Sequence, residues 1–69
     1  MPEGLRNTLR EFRAERDLTQ AALAELVGVS RKTINTVENG VFVPSTTLAL
    51  RLARALGTPV ESLFSLPDD

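Results

Sequence analysis

The sequence predicts an all-α fold, a compact bundle of five short helices forming one domain over residues 1–69. Two observations carry that expectation. Apolar residues recur at helical intervals of three and four almost throughout, and alternation of the strand type shows only faintly at Val41-Phe42-Val43. Helix-start residues (Thr19, Ser30, Ser45 and Thr58-Pro59) alternate with glycine stops at Gly28, Gly40 and Gly57, so the connections are short.

Taken in order, Leu5, Leu9 and Phe12 fall at i, i+4 and i+7 and predict a first helix from about Leu5 to Arg16, broken at Asp17-Leu18. Thr19 caps a second helix from Gln20 to Val27. Leu18 before that cap and Leu23 within the helix have the spacing of a hydrophobic staple, while Ala22 leaves the capping box incomplete. Leu23, Leu26 and Val27 are its expected inner face, and Gly28 ends it in a left-handed conformation that glycine adopts without strain. Ser30 caps a third helix, Arg31 to Asn39, closed by Gly40. Pro44 disfavours helical geometry at Val43, and Ser45 caps a fourth helix, Thr46 to Leu56, with Leu48, Leu52, Ala55 and Leu56 inward. Thr58-Pro59-Val60-Glu61 reads as a capping box with proline at the first helical position, opening a short fifth helix, residues 60–64. Residues 65–69 remain as a short acidic tail.

Composition narrows the function. The chain has no cysteine and no histidine, which excludes disulfides, thiolate or imidazole metal ligands and every nucleophile–histidine arrangement. No pair of acidic residues lies in an apolar context that would tune it for proton transfer, so an enzyme, a metal site or a cofactor is not expected. No apolar stretch approaches the ~20 residues of a membrane span, no signal-peptide pattern is present, and the absence of cysteine fits a cytoplasmic setting. The net charge of −1 hides an asymmetry. Residues 1–56 hold all eight basic groups against six acidic ones, whereas residues 57–69 hold Glu61, Asp68 and Asp69 and nothing basic. A mildly basic body is masked by an acidic end.

The second and third helices are joined by only Gly28, Val29 and Ser30, a link so short that the two must cross steeply. Ala24 supplies the small residue at their contact, and Leu23, Val27, Val29, Ile34 and Val37 the apolar surfaces that hold the angle. At about 100° per residue, Ile34 and Val37 define the inner direction of the third helix. Lys32, Asn35, Thr36 and Asn39 lie opposite, with Arg31 and Thr33 on the flanks and no carboxylate among them. Any surface helix has a polar outer face, but an ordinary one mixes glutamate with lysine. This set of donors and acceptors suits base edges in the major groove: asparagine pairs with adenine, lysine or arginine donates to guanine, and threonine offers a hydroxyl and a methyl. Gln20, in the first turn of the second helix, is either a plain exposed glutamine or a phosphate grip aided by the helix dipole.

These residues resemble the Cro/C1-type (XRE) helix-turn-helix family. The resemblance runs through Leu18-Thr19-Gln20-Ala21-Ala22-Leu23-Ala24, Val27-Gly28-Val29-Ser30-Arg31-Lys32-Thr33-Ile34-Asn35 and Val37-Glu38-Asn39-Gly40. It extends to Pro44-Ser45, Leu52-Ala53, Leu56-Gly57-Thr58-Pro59 and Leu63-Phe64, about residues 5–64, and is nearest the short single-domain repressors. It implies a lambda-repressor-like DNA-binding fold, and a bacterial homodimer that regulates transcription from a palindromic double-stranded operator. Base-reading positions of the family fall on Arg31, Lys32, Thr33, Asn35 and Thr36, and phosphate-binding positions on Thr19, Gln20, Ser30 and Asn39. The family pattern also implies a structural ion pair between Arg13 and Glu38. Many relatives carry basic residues after the Glu-Asn-Gly segment, where this chain has Val41-Phe42-Val43. Phosphate contact there falls to backbone amides, Ser45 or Thr46, and the three apolar residues pack on the body or on a partner.

Leu50 points away from the inner stripe of the fourth helix, and Leu63, Phe64 and Leu66 add apolar surface near the end. They either complete the core of one chain or, with Phe42, form a dimer interface. Two other roles stay open at this stage: an antitoxin that also binds a toxin protein, or a restriction–modification controller acting on its own operon. A pure interaction module without DNA is the remaining alternative, and salt-sensitive duplex binding separates it from the rest.

Overall fold

In the computed structural model, which describes residues 4–67, the chain turns helical later than the apolar spacing suggests. The order is β1 (Arg6–Asn7), α1 (Leu9–Glu15), α2 (Gln20–Val27), α3 (Arg31–Glu38), α4 (Thr46–Leu56), α5 (Val60–Leu63) and β2 (Phe64–Ser65). The five expected helices are present; Glu3, Asp68 and Asp69, part of the charge asymmetry, lie outside the described residues.

The first correction concerns Leu5 to Thr8. Arg6 and Asn7 pair antiparallel with Ser65 and Phe64, which shortens both the first and the fifth expected helices. The physical reason lies in Asn7 and Thr8, polar side chains that compete for backbone partners and so favour helix edges. Asn7 Oδ1 accepts from the Leu9 amide at 3.2 Å, and its Nδ2 donates to the Val37 carbonyl at 3.0 Å. Thr8 donates its amide to Leu63 O at 2.9 Å and its hydroxyl to Ser62 O at 2.7 Å. Strand pairing thus occurs here and not at residues 41–43.

The remaining boundaries follow local chemistry. Thr19, Ser30 and Ser45 each accept a hydrogen bond from the third amide of the helix they precede, satisfying a donor that has no partner within the helix. Asp17 closes α1 at φ 55°, a left-handed conformation that aspartate tolerates better than most residues. At α5 the expected capping box is not made. Pro59 stands at the cap position, with no side-chain hydrogen bond there.

Leu9, Leu23, Ala24, Val27, Ile34, Val37, Leu48, Leu52, Ala53, Leu56 and Leu63 form the core, with Phe12, Leu18, Val29, Ala55, Val60 and Phe64 packed around it. Leu26 is a second correction, being 62% exposed. The close approach of Ala24 turns the inner direction of α2 toward residues 23, 24 and 27, which leaves Leu26 roughly 100° from its centre. Ala53 is likewise buried in α4, while Ala55 sits at the margin.

Candidate nucleic-acid interface

The turn between α2 and α3 is fixed by backbone. Gly28 at φ 78° and Val29 both donate their amides to Ala24 O, at 2.8 and 3.0 Å. Ser30 then accepts from the Thr33 amide at 3.1 Å and lies 3.0 Å from the Thr33 hydroxyl. With Ile34 and Val37 in the core, α3 exposes Arg31, Lys32 and Asn35 to solvent, with Thr33 and Thr36 half-buried at its edges and Asn39 exposed just past its end. The Thr36 hydroxyl donates to Thr33 O at 2.9 Å, so its hydrogen is engaged within the helix.

Glu38 is the one carboxylate of α3, and its side chain has no exposed surface. Arg13 closes on it as a fork, Nε to Oε2 at 2.7 Å and Nη2 to Oε1 at 3.3 Å, and gives Nη1 to Leu18 O at 2.7 Å. Arg10 approaches Oε1 at 3.5 Å, and Gln20 Nε2 donates to the same oxygen at 3.0 Å. Burial pushes the Glu38 carboxyl up. The hydrogen bonds from Arg13 and Gln20, the Arg13 charge and the Arg10 contact outweigh it, holding the group below its ordinary value. Among the described residues the outward face of α3 therefore carries cations and amides only.

Gln20 is tied to two neighbours in the structure. Its Nε2 donates to Glu38 Oε1 and also to Asn35 Oδ1 at 3.2 Å, the second bond being exposed at the surface. A phosphate grip by this side chain would take one of these two hydrogens from its partner within the chain. Thr19 Oγ1 accepts from the Ala22 amide at 3.0 Å, capping the same end. Asn39 donates Nδ2 to Asn35 Oδ1 at 3.3 Å and accepts from Arg10 Nη2 at 3.1 Å. Arg10 had no place in the sequence reading. It stands on the exposed face of α1, and only the fold brings it beside the end of α3. The amides of Val41 and Phe42 both point to Thr36 O, at 3.0 and 3.2 Å, so that loop has no free amide at those positions for a phosphate. Ser45 and Thr46 are exposed at the start of α4.

Of the five residues expected at a dimer interface, Leu63 is excluded: it is 1% exposed and belongs to the core of its own chain. It points inward because it ends α5 where that helix meets the body. Phe64 is half-buried against the core, whereas Phe42, Leu50 and Leu66 are 47%, 55% and 59% exposed. Leu5, Phe42, Val43 and Phe64 line one narrow cleft.

The helix-turn-helix family model matches residues 9–63 of this chain. The chain belongs to the XRE (Cro/C1-type) helix-turn-helix family. One relative of this XRE-family protein is an uncharacterized HTH-type transcriptional regulator of Methanothermobacter thermautotrophicus, 50% identical over 66 residues, 94% of this chain and 96% of that one. An archaeal relative this similar shows that the family pattern does not by itself mark a bacterial protein. Among solved structures, the restriction-modification controller protein C.AhdI from Aeromonas hydrophila is 37% identical with a TM-score of 0.75, covering 78% of this chain and 82% of that one. The DNA-binding domain of the P22 c2 repressor is 32% identical with a TM-score of 0.74, covering 77% and 70%. The fold of this XRE-family protein is thus of the repressor type, and the protein is a transcriptional regulator whose partner is double-stranded DNA. No helix among the described residues is long and apolar enough to cross a membrane.

Proposed function

We propose that this regulator represses transcription by binding a palindromic operator as a homodimer, with α3 of each copy in the major groove. The observation that carries the reading is the outward face of α3, built of Arg31, Lys32 and Asn35 with its only carboxylate sealed inside. Arg31, Lys32, Asn35 and the edge residues Thr33 and Thr36 meet base edges in this reading. Asn39 with Arg10, the Thr19 end of α2, Ser30, and Ser45 with Thr46 lie along the flanking phosphates. One short helix reads few bases, and two copies on half-sites about 34 Å apart combine their free energies.

Selection of bound sequences from a random duplex pool tests this directly and should return a two-fold symmetric site. Asn35→Ala is expected to reduce discrimination between that site and random DNA by about 1–3 kcal/mol with the fold intact. Unchanged binding to both would remove α3 from the groove.

For the dimer, the exposed apolar surface of Phe42, Leu50 and Leu66, with Phe64 beside it, is the proposed interface. Light scattering at micromolar concentration should give twice the chain mass, and Phe42→Ser should lower it toward one. A monomeric parent chain would overturn this part. A second reading, control of a restriction–modification operon, is favoured by the similarity to the controller protein. The antitoxin alternative predicts a co-purifying toxin protein, and no observation here favours it.

A further inference from the structure

We infer that a relay of charged groups fixes Asn35 with its oxygen inward and its NH2 outward, so that it reads a hydrogen-bond acceptor on the base edge. The inference deepens the operator reading above and rests on it. Its source is the polarity of the groups that touch Asn35. Glu38, held ionised by Arg13, only accepts, so Gln20 must turn its Nε2 toward it at 3.0 Å. The second hydrogen of that same nitrogen reaches Asn35 Oδ1 at 3.2 Å. On the other side, Arg10 only donates, so Asn39 must turn its Oδ1 toward Arg10 at 3.1 Å, which leaves its Nδ2 to donate to Asn35 Oδ1 at 3.3 Å.

Two ions of opposite sign, acting through different amide side chains, therefore dictate the same result. Turning the Asn35 amide over would set its NH2 against two other NH2 groups. With both lone-pair directions of Oδ1 engaged, Asn35 cannot make the bidentate pair with adenine, which needs the oxygen to accept from N6. What remains is donation from Nδ2 to guanine O6 or N7, adenine N7 or thymine O4, and discrimination against cytosine, whose major-groove edge offers a donor. Gln20 is then a positioning residue for base reading rather than a phosphate contact.

Two sets of binding measurements test this. The selected operator and Asn35→Ala together identify the base pair that Asn35 reads. At that pair, removing adenine N7 by 7-deaza substitution, removing whichever of guanine O6 or N7 is contacted (2-aminopurine or 7-deazaguanine), or replacing thymine by cytosine should weaken the parent chain about tenfold and leave Asn35→Ala unaffected. Where the base is adenine, deleting its N6 amino group should change nothing. If that deletion weakens binding as much as loss of N7, the oxygen faces outward and the inference is wrong. Gln20→Ala should lower discrimination at that one base pair about fivefold, while affinity for random duplex and its salt dependence stay at parent values. An equal loss on operator and random DNA with base preference intact would return Gln20 to the phosphate and overturn the relay. A parent chain that selects no sequence at all defeats the operator reading itself, a result distinct from either of these.

Discussion

Replacing Arg13 with alanine is expected to lower the unfolding free energy at neutral pH by about 3 kcal/mol, the lower end of the cost of breaking a buried pair. The Glu38 side chain has no exposed surface and Arg13 is only 16% exposed, so the carboxylate is left without its fork in a site that water reaches poorly. Gln20 and Arg10 remain, which keeps the loss from being larger. Against a typical total of ~5–15 kcal/mol the change is severe.

The pH dependence identifies the cause. In the parent chain the folded Glu38 carboxyl titrates below its ordinary value, so its contribution is present above the unfolded value of about 4.3 and is lost as pH falls through the folded one. Without Arg13, only Gln20 and Arg10 oppose the effect of burial, so the folded carboxyl titrates higher than in the parent. That variant therefore loses less stability than the parent as pH falls, and the gap between the two narrows toward about pH 4. Urea unfolding followed by circular dichroism suits a chain with no tryptophan or tyrosine. A penalty of equal size at both pH values would mean that Arg13 acts through packing and not through the Glu38 charge.

Leu52→Ala is expected to be as damaging, by about 2–5 kcal/mol. Leu52 is 0% exposed in the middle of α4, where the loss of three heavy atoms leaves a void that surrounding leucines fill only in part. In a domain of this size each kcal/mol moves the melting midpoint by roughly 4–8 °C, so a fall of about 8 °C or more is anticipated. Leu52→Met, nearly equal in volume, should cost under about 1.5 kcal/mol. A thermal melt of both variants separates a packing defect from a general intolerance of substitution at this position.

The helices and their caps were legible because each is written in a few adjacent residues. Thr19, Ser30 and Ser45 cap as their positions suggest, and Gly28 and Gly57 end helices in the left-handed conformation. What escaped the sequence is what depends on distant residues. The pairing of Arg6–Asn7 with Phe64–Ser65 joins segments nearly a whole chain apart, and no two-residue strand carries a periodicity. Leu26 matched the helical spacing yet lies outside, since Ala24 decides how α2 rolls. Asn35 and Lys32 could be placed on the outer face, and Arg31 on its flank, by counting around a helix. The polarity of the Asn35 amide could not, because it is set by Arg10 on one helix and Gln20 on another. Arg10 itself carried no signal beyond being one of several arginines in the first helix.

The two-stranded ribbon between the chain's beginning and its end has a consequence for how the molecule opens. Its partners are separated by more of the chain than almost any other contact, so closing it is entropically the most demanding step, and α2, α3 and α4 are able to assemble before it. It behaves as a latch over an already formed body, the first part to fray and the last to shut. Because Asn7 in that latch also holds the Val37 carbonyl, its release unfastens the trailing end of α3.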